Sequence, residues 1–161
     1  MSVITSPAFW VPVTIRLPGD DGKVETIACR GRFKRLKKAE RQQLDRRVRN
    51  NPMLPAHRES LRKALADDAI KMTAYERAEV EADIACDHIS DLEILQTVLV
   101  DWEFKDLQGE TIPFTPANLV LYADEVDGLE AAFVSAYYEA RRKAASSEEQ
   151  EKNSGKQSAT T

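Results

Sequence analysis

Two histidines, His57 and His88, and two cysteines, Cys29 and Cys86, are the side chains in this 161-residue chain best suited to binding a soft metal or forming a thiol–imidazole pair. Only Cys86-Asp-His88 brings two of them together locally. On one helix those two side chains diverge by about 200°, so they cannot chelate a single ion, and no zinc spacing joins them to Cys29 or His57. Neither cysteine lies in a motif that would make it a nucleophile with a histidine base. Ser6, Ser60 and Ser90 occupy no nucleophile elbow, and six glycines are too scattered to cradle a phosphate. The many carboxylates fall where helix surfaces need charge, and no pair stands out as an acid and a base. The residues therefore predict no catalytic, cofactor-binding or metal-binding set, and hence no enzyme.

Charge offers a second kind of chemistry. The formal net charge is −4, yet Arg30 to Arg49 carries Arg30, Arg32, Lys34, Arg35, Lys37, Lys38, Arg41, Arg46, Arg47 and Arg49 against only Glu40 and Asp45. Such a tract can neutralise phosphates and release counterions, so a small nucleic-acid-associated regulator using segment 30–49 is the alternative reading. No aromatic residue interleaves its helix to stack on bases. An acidic run, Glu76, Glu79, Glu81, Asp83 and Asp87, offers a complementary surface, which favours internal pairing and makes a nucleic-acid partner the weaker expectation.

These groups must be positioned by a succession of strands and helices. Phe9, Val11, Val13, Ile15 and Leu17 alternate with Trp10, Pro12, Thr14 and Arg16, and Ile27, Cys29, Gly31 and Phe33 alternate with Thr26, Ala28, Arg30 and Arg32 after the turn Pro18-Gly-Asp-Asp-Gly22. This predicts a hairpin with one apolar face, Pro12 marking its first strand as an edge. A helix through Leu36, Leu44 and Val48 ends near Asn50-Asn51-Pro52. A second follows Pro55 through Leu61 and Leu65, with a break near Asp67-Asp68. Tyr75, Ala78, Ala82, Ala85, Ile89 and Leu92 form a narrow helical seam of small residues. Leu95, Leu99 and Trp102 continue at helical spacing after a restart near Ser90-Asp91. Thr115-Pro116 caps a short helix, and Leu129, Phe133, Ala136, Tyr137 and Ala140 mark the clearest amphipathic one.

The expected fold is mainly α with an N-terminal β-hairpin, an α+β arrangement. The hairpin (1–35) is packed on or appended to a helical core (36–144), and a polar tail without large apolar residues (145–161) is expected to be disordered. The two cysteines suit free thiols in a reducing compartment. The N-terminus lacks the basic start and apolar core of a signal peptide, and no run approaches the roughly 20 apolar residues of a membrane span, so no membrane partner is expected.

From Asp91 to Tyr138 the chain resembles the tail assembly chaperones of long-tailed bacteriophages. The matching pattern is Leu95-Gln-Thr-Val-Leu-Val-Asp-Trp102, a polar loop with Gly109, Ile112-Pro-Phe-Thr-Pro-Ala-Asn-Leu119, and Leu129 through Ala136-Tyr-Tyr-Glu-Ala140. The hairpin running into Phe33-Lys-Arg-Leu36 and a helix containing Glu40 is also similar, while Arg49 to Ala74 carries nothing diagnostic. The resemblance implies a non-enzymatic protein of the host cell cytoplasm. Such a protein coats the helical tape-measure protein, keeps it soluble while the tail tube polymerises, and is absent from the mature virion. It further implies a homo-oligomer, and a longer frameshifted form that recruits tail tube protein; Glu151 to Lys156 is where codons could form the slippery heptamer. Under that reading Trp102, Phe104, Phe114, Tyr137 and Tyr138 are the candidate partner-binding residues, with ordinary core burial the competing role for each.

Overall fold

The computed structural model describes residues 6–157, with side chains described over 6–147. Within them the chain forms β1 (Ala8–Pro18), β2 (Val24–Lys34), α1 (Lys38–Asn50), α2 (Pro55–Ala66), α3 (Ala74–Ile84), α4 (Asp91–Val98), β3 (Leu99–Lys105), β4 (Thr111–Ile112), α5 (Pro116–Glu125) and α6 (Leu129–Gln157). It divides into two compact units. The sheet unit comprises Met1–Arg35 with Asp91–Thr161, and the helical unit comprises Leu36–Ser90.

In the sheet unit the predicted hairpin forms with Phe9 opposite Phe33 and Ile15 opposite Ile27. The alternation does what period two requires: Val11, Val13, Ile15, Cys29 and Phe33 are buried while Pro12, Thr14, Ala28 and Arg30 are exposed. Pro12 does lie on an edge strand, because the sheet runs β1-β2-β3-β4.

The hairpin does not stand alone, and here the expected class is corrected. β3 and β4 extend it to a four-stranded antiparallel sheet, so the fold is mixed α+β rather than mainly α with a hairpin. Trp102, expected on a helix, lies on strand β3. Its three-residue spacing from Leu99 arises from a bulge: Phe33 faces Leu99 and Arg32 faces Asp101, so Val100 is the extra residue. That insertion resets the phase and lets Leu99, Trp102 and Phe104 all face inward. A strand with a bulge and one turn of helix give the same apolar spacing, and the unpaired edge of β2 decides between them.

α4, α5 and α6 close the sheet unit, with α6 packing on β1 and α4. Thr115 caps α5 by accepting the Asn118 N–H at 3.0 Å, with Pro116 in its first turn. Gly31 is where backbone meets ring: a Cβ there would lie 3.0 Å from the Phe133 and Phe33 rings. α6 continues to Gln157, past the point where the polar tail begins; residues 158–161 of that tail lie outside the described residues.

The helical unit is built differently. α2 and α3 contain no fully buried residue, and the buried side chains of this unit are Leu36, Leu44, Ile89 and Asn50. Thr73 and Glu76 form a reciprocal capping box at the start of α3, through contacts of 3.1 and 2.8 Å. The expected seam is interrupted where α3 ends at Ile84: Tyr75, Ala78 and Ala85 are exposed, and Ile89 is buried in the loop beyond.

Candidate functional site

The five aromatic residues singled out in the sequence fall into two ring clusters of the sheet unit. Trp102 is the hub of the first. Phe114 and Phe104 meet it edge-on at centroid distances of 5.1 and 5.5 Å, with Tyr122 and Phe133 at 6.4 and 6.2 Å. Its indole N–H donates to the Ile112 carbonyl at 2.9 Å, so the one polar group of the ring is satisfied. The second cluster joins Tyr137 to Phe33 at 5.3 Å and Tyr138 at 5.1 Å, with Phe9 beside them. Trp102, Phe104 and Tyr137 are only 4, 2 and 2 % exposed, whereas Phe114 and Tyr138 are half-buried. Arg141 lies over both tyrosine rings at 5.5 Å, screening that cluster from water. Phe9, Phe33 and Phe133 belong to these clusters too; their strand and helix periodicity marked them as core.

The basic tract is put to internal use. Arg46 donates to Asp83 Oδ1 and Glu79 Oε2, each at 2.8 Å, and to the Glu79 carbonyl. The Glu79 hydrogen bond, joined by the charges of Glu79 and Asp83, pushes the Arg46 guanidinium above its ordinary value. Asp83 Oδ1 also accepts from Arg49 and Asn50. Arg47 donates to the carbonyls of Asp87 and His88, Arg58 to those of Ile84 and Cys86, and Asn51 both donates to and accepts from the Ile89 backbone. These cations satisfy the carbonyls left open at the end of α3 and in the loop after it. Of the tract, Arg46 is the cation most fully engaged inside the protein; Arg49 keeps 64 % of its side chain exposed. The sequence held a signal for the pairing in its acidic run, but none for the carbonyl contacts.

Cys86 and His88 lie in that loop rather than on a helix, and Cys29 is buried in β2. Burial pushes the Cys29 thiol up to about 11, so it stays protonated at neutral pH. Among the described residues no group of three or more His, Cys, Asp or Glu side chains is placed to hold a metal ion.

Exposed apolar side chains occur in both units. Leu54, Ile70 and Tyr75 of the helical unit are exposed, Leu54 by 69 % and Tyr75 by 75 %. A groove of about 600 Å³ between α1 and α3 has Ala82, Ala85 and Cys86 on one side and Gln42, Gln43 and Arg46 on the other. The family model for phage tail assembly chaperones matches residues 1–147, and the chain belongs to that family. No curated protein and no solved structure matches it. As an assembly chaperone it acts in the host cell while tails are being built, on phage tail proteins. No helix among the described residues is long and apolar enough to cross a membrane.

Proposed function

We propose that this chaperone holds the helical tape-measure protein soluble during assembly of the tail tube and takes no catalytic part in that process. The observation that carries the reading is the helical unit. α3 starts with a capping box and α2 with a first-turn proline, yet neither buries a side chain completely, and Leu54, Ile70 and Tyr75 remain in water. An amphipathic client helix laid on such surface would bury its own apolar stripe and theirs together. Burial of apolar area drives such a contact, while the cost of ordering the client keeps it reversible, as a holding chaperone requires.

Of the five candidate aromatics, Phe114 and Tyr138 retain surface for direct contact. Trp102, Phe104 and Tyr137 serve by holding the sheet that presents them. The protein acts in the host cytoplasm as a homo-oligomer, is left out of the finished virion, and reaches tail tube protein through a frameshifted longer form.

Co-expression with the tape-measure protein of the same phage tests the reading. The client should move into the soluble fraction and co-elute with this chain. A client that stays equally insoluble with and without it, with no complex on a sizing column, would sink the proposal. The frameshift is a separate matter, decided by the presence or absence of a slippery heptamer and an overlapping reading frame in the gene.

A further inference from the structure

The sheet of this protein has a gap in it. β2 runs from Val24 to Lys34, but its pairing with β3 stops at Arg30 opposite Glu103. The Gly19 N–H donates to the Lys23 carbonyl at 2.7 Å, closing the hairpin. By alternation, the odd-numbered residues of β2 therefore bond to β1, and the even-numbered ones point their N–H and C=O the other way. Arg30 and Arg32 find β3 there. Thr26 and Ala28 are both exposed: Ala28 lies in register with Lys105, the last residue of β3, but the pairing does not reach it, and Thr26 faces the space past the end of β3. Across it, Lys105 is two residues beyond Glu103 and aims its backbone groups into the same space, since Asp106 N–H is committed to Glu110 of the β3–β4 turn.

A second, independent feature lies over this gap. A pocket of about 480 Å³ opens at the end of the sheet core, lined by Leu17, Ile27, Phe104, Leu107, Tyr122 and Val126. Leu107 is 84 % exposed, so the apolar rim stands in water at the mouth of the pocket. The charged residues lining the pocket are Asp106, Glu125 and Asp127 against Lys105 alone, which makes the rim acidic.

We propose that the gap is a strand-addition site for an extended segment of a partner protein, one carrying a bulky aliphatic residue flanked by Lys or Arg. In the free chain water satisfies these peptide groups, and among protein ligands an extended backbone matches their strand spacing best. The alternate side chains of that strand would drop into the pocket, and the acidic rim selects basic flanks. A helix cannot bond to Thr26 and Ala28, so this site is distinct from the helical client surface and stands or falls separately from it.

The test uses the full chain and the capped peptide Lys-Thr-Val-Thr-Leu-Thr-Val-Thr-Lys, read by residue-resolved amide hydrogen exchange. With about 1 mM peptide the Thr26 and Ala28 amides should exchange at least ~10-fold more slowly. Ala28→Pro, which removes one of the donors facing the gap, and Leu107→Lys, which spoils the rim at an exposed position, should each abolish the effect. If Ala28→Pro fails to fold, Leu107→Lys alone decides. The site is overturned by unchanged exchange at Thr26 and Ala28, or by slowing that survives Leu107→Lys. Slowing that grows with chain concentration in the absence of peptide would overturn it too, because the occupant would then be a second copy of this chain.

Discussion

In the sheet unit Phe33, Phe133 and Tyr137 are sealed from solvent within linked ring clusters, whereas in the helical unit α2 and α3 seal nothing and Asp83 instead gathers donors from Arg46, Arg49 and Asn50. The first unit is stabilised by apolar area withdrawn from water, which must be returned all at once if the unit opens. The second is held by charge-assisted hydrogen bonds at its surface, where water competes and segments can open singly. Under the proposed function the two constructions divide the work, the sheet unit holding its shape and the helical unit adjusting to a client.

The largest effect that would break this contrast is in the sheet unit. Trp102→Ala should cost roughly 3–5 kcal/mol, since it removes the ring that four other aromatic residues pack against and leaves the Ile112 carbonyl without its donor. Denaturant titration checks it, and a variant as stable as the parent would show that the cluster is not the source of rigidity.

Next comes Asp83→Ala, expected to cost about 2 kcal/mol because Arg46, Arg49 and Asn50 lose a shared acceptor that is itself partly exposed. This loss should shrink in high salt, unlike that of Trp102→Ala. A salt-independent loss would place the helical unit in the same class as the sheet.

The two cysteines report on one unit each. Cys86 should be alkylated promptly by a thiol reagent in the folded protein, and Cys29 only when the sheet unit unfolds. Equal rates at the two thiols would erase the distinction in stability. Cys29 also gives the sheet unit a pH signature. Its thiol is raised from 9.0 to about 11 by burial, so between those values the unfolded chain has lost the proton that the folded chain keeps. Stability should therefore fall as pH rises through that window, and Cys29→Ala should flatten the fall.

The smallest effect on stability belongs to Leu54→Ser with Tyr75→Ser. Both side chains are exposed; Tyr75→Ser should change the unfolding free energy by no more than ~0.5 kcal/mol, and Leu54→Ser, which puts a capping residue at the start of α2, should not lower it. Client solubilisation in co-expression should drop clearly all the same. Loss of stability without loss of client binding would reverse the roles assigned to the two units.

The sequence by itself determined the elements with short-range causes. The hairpin arises from alternation around the turn at Gly19 to Lys23, α1 ends where Asn50-Asn51-Pro52 predicts, α5 begins at the Thr115-Pro116 cap, and the resemblance led to the family that the match over residues 1–147 establishes. Only tertiary structure decided the conformation of the chain beyond Val98. Leu99 and Trp102 have the spacing of a helix, and they become a bulged strand because β2 offers a row of unpaired peptide groups that an isolated segment never meets. The five aromatics were legible as types, but their exposure was not, since burial depends on which strand lies opposite. The carbonyls held by Arg47 and Arg58 were hidden for the same reason: a backbone acceptor leaves no mark in the sequence, and the fold alone determines which cation reaches it.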